Sequence, residues 1–504
     1  MCKKKVIIIG AGLAGLSTGC YLQMNGFDTE IFEAHNQPGG CITSWKRKNY
    51  LIDGSIHGLV GSSPSHPMYK IWNEIVDMNE LQFYDSPVIR GIICKNGKTF
   101  FEYSNLDKLQ EYMEEISPED KKVIGNFINA IRKLQKYKMF DMIAKKPMEF
   151  FRFIDYLKML KLLPALSLMK KWQKTTAHEF SSKFKNPFLK EAVGSFDDPI
   201  LFEMLVLSEM DQKRSGYPLG GSLNFSKKIE ERYLELGGII HYNSRVSKIN
   251  TQSDPETHVD KAIGITLESG VQYTADLIIS AADGYTTLFN MLQGKYLTKN
   301  LRKLYDEKDL NTSRFLAFIG INKTLNNFPA HMRINLEKPY ELADGSKHKH
   351  LDIRLFHIDP SSAPEGKTLM EISLKTKNFD FWSDLRKKDR KGYRELKNKI
   401  CNELIEIVSH RIDAIKNSID MVDISTPATI FRYTSNWQGS IQGWANENLF
   451  KMKKVEKELP NLCNFFMVGH WVQPGGGVPM VFLSGRTLVQ IICKRAKKPF
   501  KTHK

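Results

Sequence analysis

Long apolar runs are absent from this 504-residue sequence. Phe150 to Met169 comes nearest to a membrane-spanning segment, but Arg152, Asp155, Lys158, Lys161 and Pro164 interrupt it, and a spanning helix needs about 20 mostly apolar residues. With 26% charged residues overall, the chain is not expected to be an integral membrane protein. Cysteine pairing is absent as well. Cys2, Cys20, Cys41, Cys94, Cys401, Cys463 and Cys493 are scattered, odd in number and free of any CxxC spacing, which argues for free thiols in a reducing compartment rather than disulfides or zinc. No His/Cys/carboxylate spacing suggests a metal, and no nucleophilic triad is visible. Internal repeats are missing, and so are helix-turn-helix, zinc-finger and RNP-like patterns. The surplus of 73 Lys+Arg over 56 Asp+Glu, a net charge of +17, therefore points to an anionic partner other than nucleic acid. The start, Met1-Cys-Lys-Lys-Lys followed by Val6 to Ile9, has the basic and apolar parts of a signal peptide without a small-residue cleavage site, so a cytoplasmic location is expected.

The sequence is rich in glycine turns at positions that carry chemistry. Val6 to Ile9 is a buried-strand pattern, and Gly10-Ala11-Gly12-Leu13-Ala14-Gly15 follows it at the start of a helix that ends near Gly26. In such a fingerprint Gly10 permits the tight turn, Gly12 lets the backbone approach a pyrophosphate, and Gly15 lets helix pack on strand. The helix N-terminus offers unpaired N–H groups to the phosphates. The next strand, Thr29 to Glu33, ends in a carboxylate 23 residues after Gly10, the place for a group that accepts hydrogen bonds from an adenosine ribose. NAD and FAD share this pattern. A second glycine turn, Gln37-Pro-Gly39-Gly40-Cys41, follows Glu33, and a third, Gly469 to Val478 with Gly475-Gly476-Gly477, opens an apolar helix near the C-terminus. The positive end of that helix is suited to negative charge on a reduced flavin, and the three turns together favour FAD.

These segments resemble the flavin amine oxidase superfamily, and the resemblance runs along most of the chain. Within it, Tyr50 to Gly58, Tyr217 to Gly221, Gly237-Gly238, Ser244 to Val246, Asp359 to Gly366, Thr426-Pro427, Arg432-Tyr433, Gly439 and Gly443 are similar to segments of phytoene desaturases, carotenoid cis-trans isomerases and retinol saturases. The resemblance implies noncovalent FAD, with Gly39 and Gly40 approaching its diphosphate, Val246 meeting the adenine by backbone, and Gly469, Gly476, Gly477 and Val478 closing the site. Cys41 stands where the family usually carries Arg, as it does in retinol saturases. Trp471 and Gln473 depart from the commoner desaturase pattern, and the spacing from Pro474 to Gly485 is closer to that of the isomerases. The segment holding His57 passes near the flavin in the family, so His57 is the candidate proton carrier; a packed, hydrogen-bonded histidine is the alternative. Asp53 reads as a turn residue. The implied function is FAD-dependent oxidation, reduction or cis-trans isomerisation of a long apolar polyene or isoprenoid. An amine oxidase-like flavoenzyme and a nonenzymatic lipid-binding protein remain the alternatives.

The expected fold class is α/β: a discontinuous Rossmann-type FAD-binding domain from residues 1–65, 216–300 and 430–495, and a mixed α+β substrate-binding domain from 301–429. Residues 66–215 are expected to be a helical, membrane-facing insertion or lid. Between Ile131 and Lys174, twelve Lys and Arg residues face three acidic ones and alternate with Phe, Tyr and Leu, a composition suited to a helix lying on an anionic membrane surface. The sequence leaves the oligomeric state open.

Overall fold

The structure, a computed structural model, describes residues 3–137, 148–256, 258–445, 455–473, 475 and 477–503. Five parallel strands form its nucleotide-binding sheet, in the order Ile239–His241, Asp28–Phe32, Lys5–Ile9, Leu277–Ser280, Phe465–Met467. Parallel central strands are covered on both faces and so read as continuous apolar runs. Lys5–Ile9 does so, and its alternate side chains separate into two cores. Val6 and Ile8 pack with the helices Leu13–Met24, Ser222–Glu235 and Gly477–Arg495. Ile7 and Ile9 pack on the other side with the antiparallel strands Val246–Gln252 and Asp260–Leu267 and with Trp444 and Trp471. Leu13–Met24 is buried along its whole length. Such enclosure needs small residues: a Cβ at Gly19 would lie 2.6 Å from the Tyr233 ring, and one at Gly485 would lie 2.3 Å from Ser17 Oγ.

A second, seven-stranded sheet runs Ile419–Ser425, Ser313–Ile321, Thr368–Thr376, Lys347–Leu355, His331–Glu341, Val88–Ile93, Thr99–Tyr103. All neighbours are antiparallel except His331–Glu341 with Val88–Ile93. Residues 66–215 are therefore not helical throughout, since two of their strands extend the sheet built mainly from residues 301–429. Val88–Ile93 does not read as a half-buried strand, because it places a buried charge, Arg90, on one face with Val88 and Ile92. Phe315, Ala317, Ile319 and Ile321 point from one face of the sheet to the helix Arg390–Ser409. The opposite face carries Arg90, Arg333, Asp352, Arg354 and Glu371, which lie toward the helices of residues 106–211 and the segment around His57.

Those helices have a core of their own, around Ile124, Phe127, Phe180, Leu189 and Leu201. On Phe153–Leu160, Phe153, Ile154 and Leu160 are 78%, 50% and 55% exposed. Part of the basic stretch expected at a membrane, residues 138–147, lies outside the described residues, as do the side chains of Tyr156, Lys158 and Met159. Among the described residues, no helix is long and apolar enough to cross a membrane.

Candidate functional site

The carboxyl ends of the parallel strands meet around a cavity of about 200 Å³, the position where open α/β sheets take ligands. Three glycine turns build its rim. Gly10, at φ +101°, donates its N–H to Phe32 O at 2.8 Å and turns the chain from strand to helix. A Cβ on Gly15 would fall 1.9 Å from Gly10 O, so the helix approaches the strand as closely as only glycine allows. Gly12 is the N-cap of Leu13–Met24 and supplies no side-chain cap, which leaves first-turn N–H groups open to a ligand. A Cβ there would meet no protein atom within 4 Å. The second turn docks on the first: Gly39 donates its N–H to Ala11 O at 2.9 Å, and Gly40, at φ +60°, lies against Gly12. The Glu33 carboxylate braces both turns, accepting from Ala11 N at 2.7 Å and His35 N at 2.8 Å.

Gly10, Gly12, Leu13, Ala14, Glu33, Gly39, Gly40 and Cys41 line this cavity, and Val246, Gly469, Gly477 and Val478 line it from the other two chain segments. Gly469 is anchored by its N–H to Ser484 Oγ at 3.0 Å. Ala11 and Gly15 lie behind the rim, and Gly476 lies outside the described residues. His57 lies outside the cavity lining, two residues from Ser55, which is part of it. Its Nε2 is 3.7 Å from Glu371 Oε2 on the seven-stranded sheet. Burial and the nearby Arg354 hold the His57 imidazole below its ordinary value, against the pull of Glu371. Asp53 is a buried strand-end residue that accepts from Tyr217 Oη at 2.9 Å and Ser222 N at 3.1 Å, and so ties its strand to the turn before Ser222–Glu235. It occupies no exposed turn.

Asp283 and Asn436 carry no site role in the sequence, and His470 and Trp471 fall in the closing segment without one; all four line the cavity. Asp283 follows the fourth strand and accepts from Thr286 N at 2.7 Å and Trp437 N at 2.8 Å; burial still raises its pKa to about 6. The Cys41 thiol, pushed up to about 11 by burial, accepts from Asn436 Nδ2 at 3.0 Å and stays neutral. His470 is pushed down to about 4 by burial, so its imidazole is neutral. His470 Nε2 and Trp471 Nε1 are buried without a hydrogen-bond partner among the described residues. Buried polar atoms ordinarily find one. Two such atoms beside an uncapped helix N-terminus and a glycine that faces open space suit a bound dinucleotide cofactor. The Asp283 position carried a weak signal in Ala281-Ala282-Asp283-Gly284, directly after an apolar strand.

The comparisons with known proteins agree with this geometry. The pattern of the flavin-containing amine oxidoreductase family matches residues 13–493. The chain is similar to 4,4′-diaponeurosporene oxygenase of Staphylococcus haemolyticus strain JCSC1435, 23% identical over 98% of this chain and 97% of that protein. It is also 23% identical to the enzyme of that name from Staphylococcus aureus strain MW2, over 98% and 99% of the two chains. Among solved structures it resembles an oxidoreductase from Methanosarcina mazei, with a TM-score of 0.56 and 16% identity over 96% of this chain and all of that one. A putrescine oxidase variant redesigned in cofactor binding gives a TM-score of 0.55 at 10% identity over 98% and 99% of the two chains. With a family pattern covering nearly its whole length and a cavity suited to the cofactor, the chain belongs to the flavin-containing amine oxidoreductase family and is an FAD-dependent oxidoreductase.

Proposed function

We propose that this flavoenzyme acts on a long, apolar, carotenoid-like polyene, by desaturation, saturation or cis-trans isomerisation. The carrying observation is the similarity, over essentially full length on both sides, to the 4,4′-diaponeurosporene oxygenases. Bound noncovalently, FAD would supply the hydride acceptor or donor. The residues have the remaining tasks. Open N–H groups after Gly12 and the backbone of Gly39 and Gly40 bind the diphosphate. Glu33 and the Val246 backbone, both in the cavity lining, would hold the ribose and the adenine. Gly469, Gly477 and Val478 bring the helix Gly477–Arg495 to the flavin end, where its positive terminus favours the reduced form. His57, 3.7 Å from Glu371 and two residues from the cavity-lining Ser55, would carry the proton.

The exposed Phe153, Ile154 and Leu160, with Leu157 at 41% and Leu163 at 55%, support docking of this lobe on an anionic membrane, from which a water-insoluble substrate enters directly. The family pattern itself favours a second reading, an amine substrate. One anaerobic experiment separates the two. The FAD-loaded protein is mixed with carotenoids, retinoids and di- and polyamines while flavin absorbance and polyene isomers are followed. Bleaching of the oxidised flavin by a polyene, or isomerisation by the reduced form, is expected, and bleaching by an amine alone would overturn the polyene reading.

A further inference from the structure

Beside the FAD cavity, and sharing Glu33, Gly40, Cys41 and Tyr433 with it, opens a second cleft of about 540 Å³. Its outer wall is basic. Arg390, Arg394 and Lys397 lie at i, i+4 and i+7 of the helix Arg390–Ser409, while Arg386 and Arg432 reach the same space from the helices Phe379–Lys388 and Pro427–Thr434. Like charges four residues apart on a helix repel. Arg390 also begins its helix, where the positive end of the macrodipole disfavours a cation. Arg390, Arg394 and Arg432 are exposed at the mouth of the cleft, so water screens this repulsion and leaves their guanidinium groups open to an anion.

Few internal anions offset it. Among the described residues, the one carboxylate in the wall apart from Glu33, which braces the glycine turns, is Asp423, and it is engaged by Trp45 Nε1 at 2.7 Å and Arg47 Nε at 3.2 Å. The guanidinium groups of Arg386, Arg390, Arg394 and Arg432 make no hydrogen bond or ion pair among the described residues; Arg432 lies over the Tyr433 ring at 4.4 Å. Lys397 donates to Ile424 O at 3.0 Å. Burial and the charges of Arg432, Arg386 and Arg394 hold its ammonium below the ordinary value, although Asp423 opposes them. Behind the cations, Trp45, Leu316 and Ile430 supply apolar surface.

We infer that this cleft binds a phosphate-bearing small molecule of nucleotide size, its phosphates on Arg390, Arg394 and Arg432 and its body against Trp45. The volume lies within the range of about 300–1,000 Å³ usual for small-molecule pockets, and a concave site lined by unpaired guanidinium groups suits phosphates that can be gripped from several sides. The inference goes beyond the proposed function and does not depend on which polyene is the substrate. Because Gly40 and Cys41 belong to both walls, the bound molecule lies next to FAD.

The test titrates the FAD-loaded full chain with inorganic pyrophosphate and with adenosine 5′-diphosphate by calorimetry at low salt, while the flavin spectrum is recorded. One saturable site is expected, with adenosine diphosphate at least as tight as pyrophosphate and the flavin band perturbed on binding. The double variant Arg390→Glu/Arg394→Glu, and separately Arg432→Gln, should weaken binding at least tenfold with unchanged FAD content and unfolding midpoint. Lys170→Glu/Lys171→Glu, equally charge-reversed but remote in the helical lobe, should bind as the unaltered protein does. Failure of the FAD-loaded protein to bind either probe would overturn the inference, as would equal binding by the Arg variants. Binding by apoprotein that FAD abolishes would assign these cations to the phosphates of FAD itself, and binding to phosphatidate vesicles without binding to the soluble probes would assign them to a membrane. Either result would also overturn it.

Discussion

The FAD cradle is made mostly of backbone, whereas the junction between the helical lobe and the seven-stranded sheet is made of buried charge. Around the cavity, glycines bring main-chain N–H groups to the rim, and Cys41 and His470 are held neutral by burial. At the junction, Arg90 meets Glu203 at 3.2 Å and Glu102 and Asp197 at 3.9 Å, and Arg333 meets Asp352 at 2.7 Å and Asp197 at 3.2 Å. Arg90, Glu102, Glu203 and Arg333 are each at most 4% exposed. The cradle needs no ionised side chain of its own to hold a diphosphate, because the helix terminus supplies the positive field. The junction holds charge at a desolvation cost, which ion pairing offsets only when every member is present. One region thus tolerates a change of side chain that keeps the backbone path. The other tolerates almost none.

Breaking the junction should have the largest effect on stability. Arg333→Met takes the main cation from Asp352, 19% exposed, and from Asp197, 42% exposed, and should cost about 1.5–3 kcal/mol, read as a lowered midpoint in denaturant, while the folded fraction keeps its FAD. Loss of FAD at full stability would contradict the separation of the two regions.

Within the cradle the comparison sharpens between two glycines three residues apart. Gly15→Ala puts a Cβ against the Gly10 carbonyl and should cost about 1–3 kcal/mol together with FAD. Gly12→Val projects into open space instead, so it should abolish FAD loading with circular dichroism and unfolding midpoint nearly unchanged. Normal flavin content in Gly12→Val would mean that the diphosphate lies elsewhere.

Acid should act on the junction and, through His470, on the cradle over the same pH range. His350 is pushed down to about 4 by burial and Arg333, and His331 is lowered by burial and Arg354. A histidine whose folded value is depressed contributes stability that is present above about 6.5 and is lost as pH falls toward its folded value. Asp352 and Asp197 resist burial through Arg333, lie well below the usual carboxylate range, and lose their contribution below about pH 4. Asp283 and Glu102, raised by burial, act with the opposite sign and blunt the slope. The unfolding temperature should therefore fall from pH 7 to 4.5, and fall less steeply in Arg333→Met; an equal slope in the two proteins would detach these histidines from the cluster. The smallest effect is expected from Cys41→Ser, which keeps a neutral acceptor for Asn436 Nδ2 and should alter FAD affinity by less than about threefold, or roughly 0.6 kcal/mol. A larger change, measured by equilibrium dialysis of FAD, would give the thiol a role of its own.

The turn containing Gly10, Gly12 and Gly15, the carboxylate at Glu33 and the closing turn were legible in the sequence because each depends on residues a few positions apart: a strand's apolar run, a glycine where the backbone must bend, a carboxylate at the end of the next strand; that Glu33 braces the two turns through Ala11 N and His35 N was not. That these pieces, drawn from both ends and the middle of the chain, form one sheet was legible only through resemblance. The partner of His57 was not legible at all. Glu371 comes from a strand of the second sheet, and no local pattern announces which charged residue will face a given histidine. The strands around Arg90 were hidden for the same reason, since a buried arginine looks like a surface residue until Glu203 and Glu102 close on it.

By itself, then, the sequence determined the cofactor class and the backbone that holds it, since glycine conformation and helix polarity are local properties. Tertiary structure decided where the charge went: into a buried network joining lobe to sheet, and into a basic cleft beside the FAD cavity whose arginines come from three helices. Composition records only the sum of charges, and the energy of a charge depends on burial and on neighbours that the chain brings together only by folding.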